Sequence, residues 1–389
     1  MLHCRLSNKL YPEIDNWNYP FQAQPYSASV STFSNIDYMA PQSKTLYAFA
    51  PASVGNFGPF YDVAGFCLKH LGDIVEARPN VSINDVRLVK ITGPYADELD
   101  ATGISLEENN VQKVANWIWG RYSTNSSQGI DLILHKYLPL KSGLGSSSAS
   151  CVAAAKCMLL ALGLDKSLSD EAKVDAAMQG EQRNNEFEHL DNILPSLFGG
   201  VWSIGEKNFH RIRSQEFTVV AFLDETDRRS THIQRMLVKD HLKQLIDSKN
   251  TDNAIEKLLG YHRFISHSSM LLIKALNEGD IKTVGELVSA ECGNLLFEAR
   301  QKSIPRLGLI KQTIMENGAY GCAISGSGPA IFAITDGKDA AKSLRDNIVK
   351  KFSERNLKWL ISSLNENGSE AIQNIDNWYH QNCENHNFW

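Results

Sequence analysis

Residues 139–150 read Pro139-Leu-Lys-Ser-Gly-Leu-Gly-Ser-Ser-Ser-Ala-Ser150. Gly143 and Gly145 bracket one apolar residue and three serines follow. Ala149, Val152, Ala153, Ala154, Ala155, Met158, Leu159 and Leu160 then continue as a helix, expected over 147–162 and closed by Gly163. Glycines let backbone N–H groups approach a ligand closely. A helix starting directly after them aims its open N–H groups and the positive end of its dipole at the same spot. Such a loop is an anion site, and phosphate is its usual occupant. Taken alone, the segment reads equally well as a serine-capped helix after a glycine turn.

Working outward, 389 residues with 43% hydrophobic and 21% charged side chains describe a soluble globular chain of two domains with a large core. A formal net charge of −5 argues against nucleic acid or an anionic membrane as partner. No apolar run approaches the length of a membrane span. The start of the chain lacks the basic and apolar regions of a secretory signal. The seven cysteines are dispersed, as expected of reduced thiols in a cytoplasmic protein, and no His/Cys cluster has zinc spacing.

Residues 1–44 form an extension with four prolines and many aromatics, including Tyr11, Trp17 and Phe33. An organellar transit peptide is opposed by Glu13, Asp15 and Asp37. The tail after residue 372 is polar but carries Trp378, Tyr379, Phe388 and Trp389, and the aromatic ends suggest a homodimer. Strands are expected at 45–50, 86–91, 129–134 and 217–223. Helices are expected at 111–121, 262–277, 280–291 and 305–316. Residues 319–332 read as strand, glycine turn, strand, because Pro329 interrupts any continuous ladder. The expected division is 1–44, 45–215, 216–372 and 373–389.

Two further glycine loops flank the first. One is Pro51-Ala-Ser-Val-Gly-Asn-Phe-Gly-Pro-Phe-Tyr-Asp-Val-Ala-Gly65, holding Asn56 and Asp62; the other is Ser325-Gly326-Ser327-Gly328-Pro329. Neither a P-loop nor a dinucleotide fingerprint is present. Three glycine loops in this order resemble the motifs of the GHMP kinase superfamily. Four more segments are similar to its homoserine kinase family: Glu181 followed by His189-Leu-Asp-Asn192, Pro195 and Phe198-Gly-Gly200; Ser230-Thr231 with Arg235; Glu298-x-Arg300 with Ile304-Pro305; and Gly318 to Pro329. The resemblance covers about 45–372. It departs at Phe60, where the family has glycine.

This resemblance implies an α+β, two-domain GHMP kinase fold. An ATP domain like domain 2 of ribosomal protein S5 would precede a ferredoxin-like α/β sandwich. It also implies ATP-dependent, Mg²⁺-assisted phosphorylation of the side-chain hydroxyl of L-homoserine, a step in threonine biosynthesis. Pro139, Lys141, Ser142, Gly143, Leu144, Gly145, Ser146, Ser147, Ser148 and Asn109 would hold ATP, and Ser147 and Glu181 would hold Mg²⁺. Asn56, Asp62, His189, Asn192, Thr231, Arg235, Arg300, Gly326 and Ser327 would bind the amino acid. The arginines suit its carboxylate and Asp62 its ammonium. Asn192, Arg235 and Glu181 would act in catalysis, with no strong base: Asn192 takes the base position, and Asp191, one residue off, should point elsewhere. Each of these side chains has a plainer reading: a solvated carboxylate for Glu181, a satisfied core imidazole for His189, surface ion pairs for the arginines. A kinase for another small alcohol such as mevalonate, or a non-catalytic binding relative, are the alternatives.

Overall fold

The computed structural model describes residues 44–60, 62–123, 128–181, 189–205, 208–225, 231–246, 251–290, 304 and 306–388. The extension therefore lies outside the described residues up to 43, as does Arg300.

β1 (Leu46–Gly55) runs on through Pro51, beyond the expected strand, and pairs antiparallel with β2 (Ala64–Asn80), the register shifting between Pro51 and Ser53. After β3 (Val86–Thr92), α1 (Ala96–Asp100) and α2 (Asn110–Tyr122) cross over to β4 (Gly129–His135). β4 lies parallel to β3 and antiparallel to β2; a parallel pair needs such a crossover. α3 (Ser146–Ala161), α4 (Asp170–Met178) and α5 (Leu190–Phe198) follow. The hairpin β5 (Val201–Ile204) and β6 (Phe209–Ile212) attaches to β2 through β5. Val111 and Ile118 of α2, Val152 and Met158 of α3, and Ile193 of α5 pack on Ala48, Val75, Leu132 and Leu134 of the sheet. α3 is apolar nearly all round because it is enclosed on nearly every side.

The second sheet begins at β7 (Thr218–Asp224). α6 (Thr231–Ile246), α7 (Thr251–Glu278), α8 (Ile281–Ala290) and α9 (Leu307–Glu316) lead to β8 (Gly321–Ile324) and β9 (Ile331–Thr335). α10 (Gly337–Lys351) and β10 (Leu357–Ser363) complete it. The sheet order β10-β7-β9-β8, antiparallel throughout, is that of a ferredoxin-like sandwich. A short β11 (Glu370–Ile372) then returns to pair with β1 in the first sheet, and α11 (Ile375–Asn382) follows.

A shared core joins the sheets. Phe66 of β2 lies 5.3 Å from the Phe217 ring and 5.6 Å from the Phe332 ring, with Phe57 4.8 Å away. The tail is part of the fold. Trp378 packs 4.6 Å from Phe49, Phe388 is buried, and Tyr95 donates its hydroxyl to the Phe388 carbonyl at 3.0 Å. These two tail aromatics are covered by the chain itself, so they do not by themselves ask for a second subunit. Cys67, Cys151, Cys157 and Cys322 are buried and form no disulfide, and burial pushes the first three thiols above their usual range. No helix among the described residues is long and apolar enough to cross a membrane.

Candidate active site

The loop over 139–145 turns into α3 at Gly145, which is itself the N-cap in the left-handed conformation (φ 66°, ψ 30°), and no side chain caps the helix. This removes the serine-capped reading: none of the three serines accepts a capping hydrogen bond. Their alternation is informative. Lys141 and Ser147 are exposed and Gly143 and Gly145 half-exposed, whereas Ser142, Leu144, Ser146 and Ser148 are buried. The open face of the loop is thus its glycine backbone, one lysine and one hydroxyl, at the positive end of a long helix.

The other two loops are hydrogen-bonded to this one. Ser53 N–H donates to the Leu144 carbonyl (3.1 Å), and Ala330 N–H to the Ser142 carbonyl (3.0 Å). The Ser325 hydroxyl donates to the Gly143 carbonyl at 2.7 Å. Gly326 N–H donates to the Gly55 carbonyl at 3.0 Å. Gly143 and Gly145 must be glycine here: a Cβ would stand 2.4 Å from the Ser325 carbonyl oxygen at the first and 2.1 Å from Ser53 Oγ at the second.

Asn56, left-handed at φ 58°, is a staple more than a free ligand group. Its amide donates to the Gly326 carbonyl at 3.0 Å, and its Oδ1 accepts from Asp62 N–H at 2.6 Å. Asp62 is left-handed too (φ 54°) and exposed. Phe60 does not carry a positive φ; it is buried in the core between the sheets. Where the resemblance implies a glycine, Phe60 is thus a core anchor with no left-handed strain.

α5 begins at His189, half-buried and left-handed (φ 79°), and presents Asp191 and Asn192 to these loops. Contrary to expectation, Asp191 points into the site. Its Oδ2 accepts from Asn56 N–H and its Oδ1 from Asn192 Nδ2, both at 3.0 Å. Asn192 Oδ1 accepts from the Ser53 hydroxyl at 3.0 Å. The amide proposed for the base position is held at both ends.

Glu181 is buried and accepts from Ser148 at 3.0 Å, while exposed Ser147 accepts from Asn110 Nδ2 at 2.8 Å. Asn109 itself caps α2, accepting from Val111 N–H at 2.9 Å. The neighbouring Asn110, which sequence reasoning missed, is the residue that reaches the loop. The donors beside the α3 N-terminus are all oxygens, a hydroxyl and a carboxylate, which suits Mg²⁺ sharing its sphere with phosphates and water. No group of three or more His, Cys, Asp or Glu side chains among the described residues could hold a metal unaided. Thr231 and Arg235 lie on α6, where only the backbone is described; the Ser327 side chain is half-buried beside Gly326.

A two-sheet fold with three glycine loops joined around a helix N-terminus defines a small-molecule kinase of the GHMP type. The family models "GHMP kinases N terminal domain" and "GHMP kinases C terminal" match residues 109–200 and 272–355. The chain is 31% identical over 315 residues to the homoserine kinase of Pyrococcus abyssi, covering 79% of this chain and 92% of that one. It is 29% identical over 355 residues to the homoserine kinase of Arabidopsis thaliana, covering 90% and 87%. The crystal structure of homoserine kinase from Cytophaga hutchinsonii superposes with a TM-score of 0.71 at 25% identity, over 87% of this chain and 100% of that one. Mevalonate kinase of L. major shares the fold alone, with a TM-score of 0.62 at 16% identity over 84% and 98%. The chain belongs to the homoserine kinase family.

Proposed function

We propose that the protein transfers the γ-phosphoryl group of ATP to the side-chain hydroxyl of L-homoserine, the step of threonine biosynthesis that makes O-phospho-L-homoserine. The hydroxyl oxygen bonds to the γ-phosphorus as the bond to the bridging oxygen of ADP breaks, and the proton leaves late. A loose transition state of this kind needs alignment and charge neutralisation more than a strong base. The observation that carries the reading is the hydrogen-bonded junction of all three glycine loops with the α3 N-terminus and the Asp191–Asn192 pair.

In this reading the backbone of Gly143–Ser147 receives the phosphates, and Lys141 adds a cation at the rim. Ser147 and Glu181 would hold Mg²⁺, which when bound neutralises phosphate charge. Asn192, oriented by Asp191 and Ser53, faces the accepting hydroxyl. Asp62 and His189 line the amino-acid end, with Arg235, Arg300 and Thr231 supplied by the sequence motif. The decisive experiment is ADP release with Mg-ATP against L-homoserine, L-threonine, mevalonate and galactose. Turnover with homoserine alone is expected. Turnover with mevalonate in preference, or ATP binding without turnover of any acceptor, overturns the assignment.

A further inference from the structure

The phosphate loop is held from behind by a charged cluster that contributes no atom to the open face. Asp73 of β2 is fully buried, and Lys136, at the end of β4, is 2% exposed. Their ion pair is the most deeply buried among the described residues. Burial of two charges is a poor source of stability, because desolvation offsets most of the attraction. What the pair touches is therefore more telling than the pair itself.

All the other groups that the two side chains bond flank one loop. Asp73 Oδ1 accepts the backbone N–H groups of Tyr137 (2.9 Å) and Leu138 (3.0 Å), where the chain enters the loop. Asp73 Oδ2 accepts from Lys136 and from the Ser150 hydroxyl at 2.6 Å. Lys136 Nζ donates to the Ser146 carbonyl (2.9 Å) and to Ser150 Oγ (3.0 Å), on the first two turns of α3 where the chain leaves the loop. Four donors saturate one carboxylate, and they come from the two ends of a single turn. The front of the loop is held by the neighbouring loops and by Glu98 of α1, which accepts Leu140 N–H at 3.0 Å; this cluster, with the Ser146 hydroxyl donating to the Leu138 carbonyl at 3.2 Å, ties the entry strand to the helix.

We infer that Asp73, with Lys136 and Ser150, positions the phosphate loop for ATP by locking its entry strand to the first turn of α3. The inference rests on the reading of residues 139–148 as the ATP-phosphate site and deepens it: these are positioning residues acting through the backbone of Ser146–Ser148. The ammonium also fixes the direction of the Ser146 carbonyl, and with it the N–H groups that point the other way.

The test uses the full chain and three variants, read by melting temperature, Kd for Mg-ATP by equilibrium titration, and KM for homoserine. Asp73→Asn alone leaves the Lys136 ammonium without its counter-charge in a dry site, and Tm is expected to fall by about 10 °C. The double variant Asp73→Asn/Lys136→Met removes both charges while the Asn carbonyl still accepts from Tyr137 and Leu138. Its Tm should return to within about 3 °C of the parent, but Kd for Mg-ATP should stay raised on the order of tenfold, with KM for homoserine within twofold. Ser150→Ala, too mild to unfold the chain, should weaken Mg-ATP about threefold while Tm falls by only a few degrees. A double variant, or a Ser150→Ala protein, with the parent's Kd overturns the inference. So does a parallel rise in both constants, which would mean general loosening. A parent chain that fails to bind Mg-ATP overturns the phosphate-site reading and this inference with it; one that binds ATP without using homoserine overturns the substrate assignment alone.

Discussion

Two glycines with similar backbones separate the strain of a left-handed residue from the junction of the loops. Gly143 has φ 83° and Gly318 has φ 87°. Replacing either with alanine forces an L side chain into the left-handed region, at about 1–2 kcal/mol. At Gly318 the added Cβ meets nothing within 4 Å, so strain is the whole effect. At Gly143 the Cβ would lie 2.4 Å from the Ser325 carbonyl oxygen and 2.9 Å from the Gly328 nitrogen, both backbone atoms. Ordinary contact then requires the third loop to retreat by about 1 Å, which stretches the Ser325–Gly143 and Ala330–Ser142 hydrogen bonds. Each lost bond costs about 1 kcal/mol, and a 1 Å misplacement in a phosphoryl-transfer site costs about 100-fold in rate, or about 2.7 kcal/mol of barrier. Gly143→Ala is therefore expected to lower kcat/KM for ATP about 100-fold in a coupled ADP-release assay. Gly318→Ala should lower Tm by a few degrees with kcat/KM within about twofold. Equal losses from the two variants, or a Gly143→Ala enzyme of parental activity, would refute the claim that contact between the loops positions the reaction.

Other perturbations probe separate parts of the site. Glu181→Gln keeps an acceptor for Ser148 and removes the charge; the Mg²⁺ concentration for half-maximal velocity should rise on the order of tenfold, and an unchanged Mg²⁺ profile would remove Glu181 from the metal site. Arg235→Ala should raise KM for homoserine while leaving KM for ATP within about twofold, and a matching loss of ATP affinity would contradict its role. Phe60→Gly introduces the glycine that the resemblance implies but empties a core position, so unfolding free energy should fall by about 3 kcal/mol or more; a gain in stability would show the turn to be strained after all. His386 is pushed down to about 4 by burial, with His70 and Lys358 adding repulsion, and its Nδ1 accepts from Phe388 N–H at 3.3 Å. The unfolded chain takes up this proton from pH 6.5 downward while the folded chain stays neutral until about 4. The stability it contributes is thus complete above pH 6.5 and declines as pH falls, by about 3 kcal/mol in all. Urea midpoints at pH 7 and 5 should show a steeper acid loss for the parent than for His386→Gln, and parallel slopes would refute this.

The parts of the fold legible in the sequence are those with one periodic face or a sharp stop. α2, α3 up to Gly163, α9 closed by Gly318, and the strand–turn–strand around Pro329 all fall where periodicity and glycine placed them. β2, the longest strand described, was invisible for a physical reason. It is buried along most of its length on both faces, carries Asp73 and Glu76 in its interior and Pro79 next to its end, and includes a left-handed His70. Period-2 alternation needs one wet face, and β2 lacks it over most of its length. Likewise β1 passes through Pro51, which usually marks a strand's end, because the ladder shifts register there.

At the site, glycines and motif residues could be found because backbone geometry restricts their identity: a Cβ at 143 meets the backbone of Ser325, and one at 145 displaces the Ser53 hydroxyl. The residues that sequence reasoning missed or misdirected are of the opposite kind. Asp191 was expected to point away because neighbours on a helix diverge by about 100°. Both it and Asn192 nevertheless reach the site, because the first loop lies against one side of the α5 terminus and β1, through Ser53, against the other. Asp73 and Lys136 are 63 residues apart and sit in no glycine loop; an aspartate within a strand carries no local sign of its partner. Such charges become interpretable only when the atoms around them are known, and here those atoms belong to both ends of the phosphate loop. The residues a ligand touches are announced by local sequence, whereas the residues that hold those in place are announced by topology. It follows that substitutions at Asp73 and Asp191, outside the open face of the loop, should still impair ATP use and phosphoryl transfer, at Asp73 by about tenfold in Kd against about 100-fold in kcat/KM expected of Gly143→Ala.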